Sequence, residues 1–188
     1  MSLGRFLLFA LLIGGGFQYW QTHKPIAAAA GITASMERDW NAYGYKITPL
    51  EKFDFQARVL HAEHYSMDRE SQLAPVDLAL GWGPMADQGV LDKVTVTQSN
   101  RFYYWRVEEF PIPRREIETN SANMHMVPAN AEVERTLRSL HSGQRVTFSG
   151  YLIEARAADG WHWRSSLTRE DTGAGACELV WVEKIAAN

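Results

Sequence analysis

The sequence predicts a mainly β fold with one clear helix, an α+β domain built on a small curved antiparallel sheet or OB-like barrel and preceded by an N-terminal hydrophobic helix. Three observations carry that expectation. Six segments between residues 53 and 184 show the alternation or the β-branched and aromatic enrichment of strands. One stretch, from residue 131, combines helix start and stop signals. Glycines stand before and inside one long strand pattern, at Gly143 and Gly150, and a strand so punctuated bends sharply, as a small closed sheet requires.

In chain order, Phe6 to Phe17 reads FLLFALLIGGGF, twelve uncharged residues preceded by Arg5 and followed by Gln18, Tyr19 and Trp20. A basic residue before a short apolar run is the layout of an export signal, and positive charge on the cytoplasmic side sends the C-terminus outward. Residues 1–20 therefore read as a signal-anchor or signal peptide. Ala27 to Ala30 supply small residues for cleavage, but they lie beyond Trp20, His23, Lys24 and Pro25. Retention as an anchor is favoured, with Tyr19 and Trp20 at the membrane interface. The run is shorter than the roughly 20 residues of a standard span. A buried helix of a soluble domain is the other reading, disfavoured by Gly14, Gly15 and Gly16 in succession. No cysteine stands directly after the run, which excludes a lipid-modified cysteine as the attachment.

Residues 21–52 show no sustained period and read as a linker or stalk, leaving 53–188 as a single β-rich extracytoplasmic domain. Phe53, Phe55, Ala57 and Val59 fall on one side of a strand over 53–65. Pro75, followed by Val76, Leu78 and Ala79, predicts a short helical turn that GWGP at 81–84 stops. Strands over 92–98 and 101–108 join at Ser99-Asn100 as a hairpin. Residues 109–130 form a long aperiodic excursion, and loops of that length inside a compact domain are functional or disordered. Asn130 then caps a helix carrying Glu132 and Glu134 in its first turn, Val133, Leu137 and Leu140 on one face, and Gly143 beyond its end. Strands over 144–155 and 161–167 join through Ala157 to Gly160, whose Asp-Gly pair suits positive φ. The last strand covers 177–184.

The composition of the 188 residues, 46% hydrophobic, 22% charged and 12% aromatic, excludes collagen-like, disordered and multi-span membrane chains. The lone cysteine, Cys177, excludes an intrachain disulfide and a cysteine-rich zinc site. Arg5 is the only charge in the first twenty residues, so the exported part carries 18 Lys plus Arg against 22 Asp plus Glu, a net −4. That balance opposes nucleic-acid binding, although Tyr103, Trp105, Trp161 and Trp163 are the aromatic kind of residue that stacks on bases.

Two segments hold the residue types of a site. In the 109–130 excursion, Asn123 and His125 stand between methionines, and a histidine there suits acid-base work or, more commonly, holding the loop. From Trp163 to Glu178 come Arg164, Arg169, Asp171 and a Gly-x-Gly at 173–175. Arginines and glycine turns bind small anions, though such glycines also serve simply to turn the chain. Cys177 with His125, or Ser165 or Ser166 with His125 and Asp171, would supply a nucleophile, a base and an orienting carboxylate. Against this, no G-x-S-x-G elbow is present, and Cys177 shares a strand face with Leu179 and Trp181, which predicts burial. His61 and His64 point to opposite faces of a strand, so no metal is expected, and nothing calls for a cofactor. Asp77, in an apolar stretch with Trp82, is either paired with arginine, the commoner outcome, or a raised-pKa acid.

PVDLALGWG (75–83), SANMHMVPAN (121–130) and GWHWRSSLTREDTGAGACE (160–178) resemble segments of a set of uncharacterised bacterial exported or membrane-anchored proteins, over roughly residues 53 to 184. The resemblance implies the bacterial cell envelope, with residues 6–20 in the inner membrane and 21–188 in the periplasm, or release to the periplasm on cleavage. It carries over no catalytic residue. The strand order also resembles OB-type barrels, a likeness that confers no function by itself. The expected function is a periplasmic domain that binds an envelope protein or a small anionic ligand through the 109–130 excursion and the 169–176 turn, with Asn123, His125, Arg164, Arg169, Asp77 and Trp82 at the site. The alternative is a hydrolase using His125 with Ser165, Ser166 or Cys177.

Overall fold

The computed structural model describes residues 38–168 and 177–188. The N-terminal apolar run, most of the linker, Arg169, Asp171 and the 173–175 glycines lie outside the described residues. No helix among the described residues is long and apolar enough to cross a membrane.

The elements are β1 (Trp40–Ala42), β2 (Tyr45–His64), β3 (Val76–Gly81), α1 (Gln88–Leu91), β4 (Thr95–Ser99), β5 (Phe102–Arg106), α2 (Arg114–Thr119), β6 (Ser121–Pro128), α3 (Ala131–Ser139), β7 (Arg145–Arg156), β8 (His162–Arg164) and β9 (Glu178–Ala187). Seven strands form one sheet in the order β1-β2-β3-β6-β9-β7-β8, and pairing of β2 with β7 closes β2, β3, β6, β9 and β7 into a ring of five. The chain is mainly β, as expected. The sheet is mixed rather than antiparallel, because β6 and β9 run parallel. A parallel pair needs a long crossover, which the passage through α3, β7 and β8 provides.

Ring closure follows from the length of β2. Its residues 46–58 pair with β7 and its residues 58–64 with β3, with register shifts at Pro49/Glu51 and Val59/His61. A 20-residue strand cannot stay flat, since twist accumulates and bulges increase it, so its two ends meet different neighbours. β7 lies between β2 and β9, and the register with β9 slips at Ser149/Gly150. A Cβ on Gly150 would stand 1.8 Å from the Trp181 carbonyl oxygen, so this glycine permits a close backbone approach. Inside the ring pack Phe53, Val59, Val76, Leu78, Leu80, Met124, Met126, Phe148, Val180 and Val182. Helix α3 seats Val133 and Leu137 in this core, and Asn130 Oδ1 accepts the Glu132 and Val133 amides at 3.0 Å as its cap.

Four further expectations are corrected. The segment after Pro75 is strand β3, not a helical turn, and residues 121–128 of the expected loop are strand β6. All six residues of β3 are buried, as are seven of the eight in β6. A strand covered on both faces shows no alternation, and its apolar run reads like a buried helical turn or an aperiodic loop. The sheet also starts upstream of residue 53, at Trp40, and β2 begins at Tyr45. The β4–β5 turn consists of Asn100 and Arg101, at φ 51° and 69°, one residue later than expected. The Asp-Gly hairpin after β7 forms as expected, with Gly160 at φ 89°.

Gly150 and Gly160 make opposite demands, and urea unfolding separates them. Gly150→Ala collides with backbone and lowers stability by about 3 kcal/mol. Gly160→Ala meets open space and costs only the left-handed penalty, about 1 kcal/mol. Equal losses would contradict the close approach of β7 to β9.

Candidate functional site

Residues that face away from the ring core on β3, β6 and β9 form a second buried surface. Tyr45, Leu73, Ala74, Leu179 and Trp181, with Trp161 and Trp163, make one part of it. Leu60, Ala79, Met85, Val94 and Ile117 make the other, under the β4–β5 ribbon and the short helices. Between these two apolar clusters runs a polar strip: Asp77 on β3, then Asn123 and His125 on β6.

Asp77 is fully buried, and its Oδ1 accepts from Arg101 Nη1 at 2.9 Å. The same Nη1 reaches the Ala74 carbonyl at 2.8 Å, while Nη2 donates to Asp68 Oδ1 at 2.9 Å. The guanidinium lies 3.7 Å over the centre of the Tyr65 ring, and the Arg101 amide donates to the Tyr65 hydroxyl at 3.0 Å. A planar, permanently charged fork serves this set of acceptors better than an ammonium would. Arg101 holds the second position of a two-residue turn, where glycine is the usual choice. Each left-handed residue costs about 1 kcal/mol, whereas removing the partner of a buried carboxylate costs about 3–5 kcal/mol. The ion pair outweighs the turn.

The ribbon is pegged at further points. Asn123 Nδ2 donates to the Arg101 carbonyl at 2.9 Å, Gln98 Nε2 donates to Asn123 Oδ1, and Gln98 Oε1 meets His61 Nδ1 at 2.9 Å. The Tyr103 hydroxyl lies 3.2 Å from both oxygens of Ser121. Burial raises the pKa of Tyr103 and of Tyr65. Burial also pushes the Asp68 carboxyl up, but the bonds from Arg101 and the Ser71 amide outweigh it and hold Asp68 below the ordinary aspartate value.

His125 Nδ1 stands 2.9 Å from Asp77 Oδ2. The approach is off-line for a hydrogen bond, so neither atom has an aligned hydrogen-bond partner. The imidazole packs on Trp163, with ring centroids 4.6 Å apart. Asp77, Asn123 and His125 are thus together, and the carboxylate beside His125 is Asp77. Arg164 instead pairs with Glu154 at 2.9 Å. Ser165 Oγ donates to the Ser166 carbonyl at 2.7 Å and accepts the Leu179 amide at 3.0 Å. Ser166 Oγ engages Thr168. Cys177, partly exposed rather than buried, places Sγ 4.0 Å from the Arg101 carbonyl. No hydrogen bond joins His125 to Ser165, Ser166 or Cys177 among the described residues, and no group of three His, Cys, Asp or Glu there is placed to hold a metal. Sequence reasoning missed Arg101, Asp68 and Tyr65.

A cavity of about 670 Å³ opens beside this strip, between β5, α2 and the start of β6. Six aromatic side chains line it: Trp82, Phe102, Tyr103, Tyr104, Trp105 and Phe110. Phe102, Tyr104 and Phe110 are 39%, 54% and 51% exposed. Among the described residues the charged lining is balanced, with Arg106 and Arg114 against Glu118 and Glu178. Arg114 is already bound to Glu118 at 2.8 Å and lies 5.8 Å over Trp105. The volume falls in the range of ligand pockets. No family model, curated protein or solved structure matches the chain.

Arg101→Met leaves Asp77 buried without its cation and lowers unfolding stability by about 3–5 kcal/mol. Adding Asp77→Leu recovers most of the loss, and a double variant no better than the single one contradicts the pairing. Asp68 gives a pH signature. Because its folded pKa is lowered below 3.8, its contribution is full above that value and fades as pH falls through the folded one. The stability advantage of the natural chain over Asp68→Asn is therefore constant above about pH 5 and shrinks in more acidic solution. An advantage that persists unchanged at about pH 2 contradicts the assignment.

Proposed function

We propose that the chain is a noncatalytic, membrane-tethered periplasmic domain of the OB type that docks a protein of the cell envelope in its aromatic cavity. The carrying observation is the cavity itself: six aromatic side chains around about 670 Å³, three of them more than a third exposed. Exposed apolar concavities of this kind mark interaction sites. The balanced charge of the lining favours a partner's apolar side chains over a small anion.

The OB assignment is supported by the order of the ring. In chain order its strands are β2, β3, β6, β7 and β9, with α3 between the third and fourth. OB barrels bind ligands on the second and third strands and on the connections between strands one and two and strands four and five. The corresponding parts here carry Asp77, Asn123 and His125, then Tyr65 and Asp68, then Trp163. The tether rests on Arg5 and the apolar run after it, and the envelope location on the resemblance of the 75–83, 121–130 and 160–178 strings. The hydrolase reading lacks support, because Ser165 is bound to backbone on both sides and, among the described residues, no hydrogen bond joins His125 to any of the three nucleophile candidates.

Two measurements test the reading. A photoreactive amino acid replacing Tyr104 in living cells yields one discrete cross-linked adduct, and the same group at exposed Glu51 on β2 does not. No adduct at 104, or identical adducts at both, removes the docking function. The full chain stays with membranes in alkaline carbonate and becomes protease-accessible once the outer membrane is opened. Protection from protease in spheroplasts rules out the periplasmic placement.

A further inference from the structure

The geometry points to the way the partner enters, and we propose that it binds as an extended strand added to the edge of β5 opposite β4. This rests on the docking reading above and deepens it. Among the described residues β5 pairs with β4 alone, in a two-stranded ribbon whose register runs without a shift from Thr95↔Arg106 to Ser99↔Phe102. The Asn100-Arg101 turn has both φ values positive, the two-residue hairpin in which the flanking pair is hydrogen-bonded. Bonded and non-bonded pairs then alternate along an antiparallel ladder. Phe102, Tyr104 and Arg106 spend their backbone groups on β4. Tyr103 and Trp105 turn theirs to the opposite edge. No backbone bond outside the ladder engages either residue among those described.

The cavity lies on that edge. Phe102, Tyr103, Tyr104, Trp105, Arg106 and Val107 all line it, six successive residues. Side chains of a strand alternate between its faces, so a cavity that touches every one of six in a row runs along the edge rather than over a face. Free edges are commonly blunted by lysine, proline or a bulge. The FYYWR sequence of β5 has no lysine or proline, and its ladder has no bulge.

The occupant is therefore a polypeptide segment. Only an extended backbone offers donors and acceptors at the spacing of the Tyr103 and Trp105 amides and carbonyls, and alternate side chains of an added strand supply specificity. Five residues of β5 span about 17 Å, enough for a partner strand of similar length. One face of that strand meets the exposed rings of Phe102 and Tyr104, which calls for aromatic or β-branched residues at alternate positions. The mixed charges of Arg106, Arg114, Glu118 and Glu178 call for low net charge.

The probe is a library of phage-displayed linear heptapeptides, panned on the full chain in nanodiscs and counter-selected on Tyr104→Ala. Recovered peptides are synthesised unmodified and with N-methyl groups on alternate amides, in both registers. The Tyr103 and Trp105 amides exchange rapidly with solvent in the free chain and slow by about tenfold or more in the complex. N-methylation in one register weakens binding by about tenfold, and the other register is tolerated. Peptides that need Tyr104 yet leave both amides fast, and tolerate methylation in either register, overturn strand addition while the docking reading stands. Failure to recover any peptide, or amides already slow in the dilute free chain, also overturns it. Slowing that tracks protein concentration without peptide assigns the edge to a second copy and overturns the partner strand. Loss of the docking reading itself is read separately, from the cross-link at 104.

Discussion

The bond between Arg101 and the buried carboxylate of Asp77 is the constraint around which the outer half of the molecule is arranged. Asp77 sits on a ring strand with both faces covered, where an uncompensated charge costs several kcal/mol. The cation comes from 24 residues away, at the tip of a hairpin. Supplying it there has consequences. The turn adopts two left-handed residues without glycine, the hairpin lies across the outer face of β3 and β6, and its aromatic strand is held beside α2. The cavity is the gap that remains along the edge of that held strand.

The ring provides the rigid side of this arrangement. Long β2 feeds two partners, Gly150 lets β7 press against β9, and the parallel β6–β9 pair closes the circle. Its interior is apolar and closely packed, so a polar strip can be carried only on its outward face. That face is where Asn123 and His125 meet Arg101 and Trp163. The bonds of Asn123 to Arg101 and Gln98 fasten the ribbon. Ser165, one of the two serines that the sequence offers as a nucleophile, is likewise fastening backbone to backbone between the β8 region and β9.

The legible parts of the fold were those whose signals are local. Asn130 and the Val133/Leu137 face define α3, Asp159-Gly160 defines a hairpin, and the alternation of Phe53, Phe55, Ala57 and Val59 defines part of β2. β3 and β6 were illegible for a physical reason: buried on both faces, they lose the period by which strands are recognised. The start of β2 was masked by Pro49, which stands at a register shift rather than at a strand end. At the site, pairing of Asp77 with an arginine was readable from its apolar neighbours, and Asn123 and His125 were readable as residue types out of place in an apolar run. Arg101 was not, because in sequence it is an ordinary charged residue after an asparagine, and the hydrogen bonds it donates span 24 to 36 residues. Arg164 illustrates the opposite error source: the right chemistry, on a strand position that pairs with Glu154.

If the Arg101–Asp77 bond is what holds the ribbon on the ring, breaking it must free the ribbon without opening the ring. Spin labels at exposed Thr97 on β4 and exposed Lys184 on β9, in a Cys177→Ser background, report this directly by pulsed dipolar spectroscopy. The account predicts one narrow distance distribution in the otherwise natural chain. With Arg101→Met the distribution broadens and far-ultraviolet dichroism still reports an intact sheet. A distribution that stays narrow and unshifted in the Arg101→Met chain contradicts it.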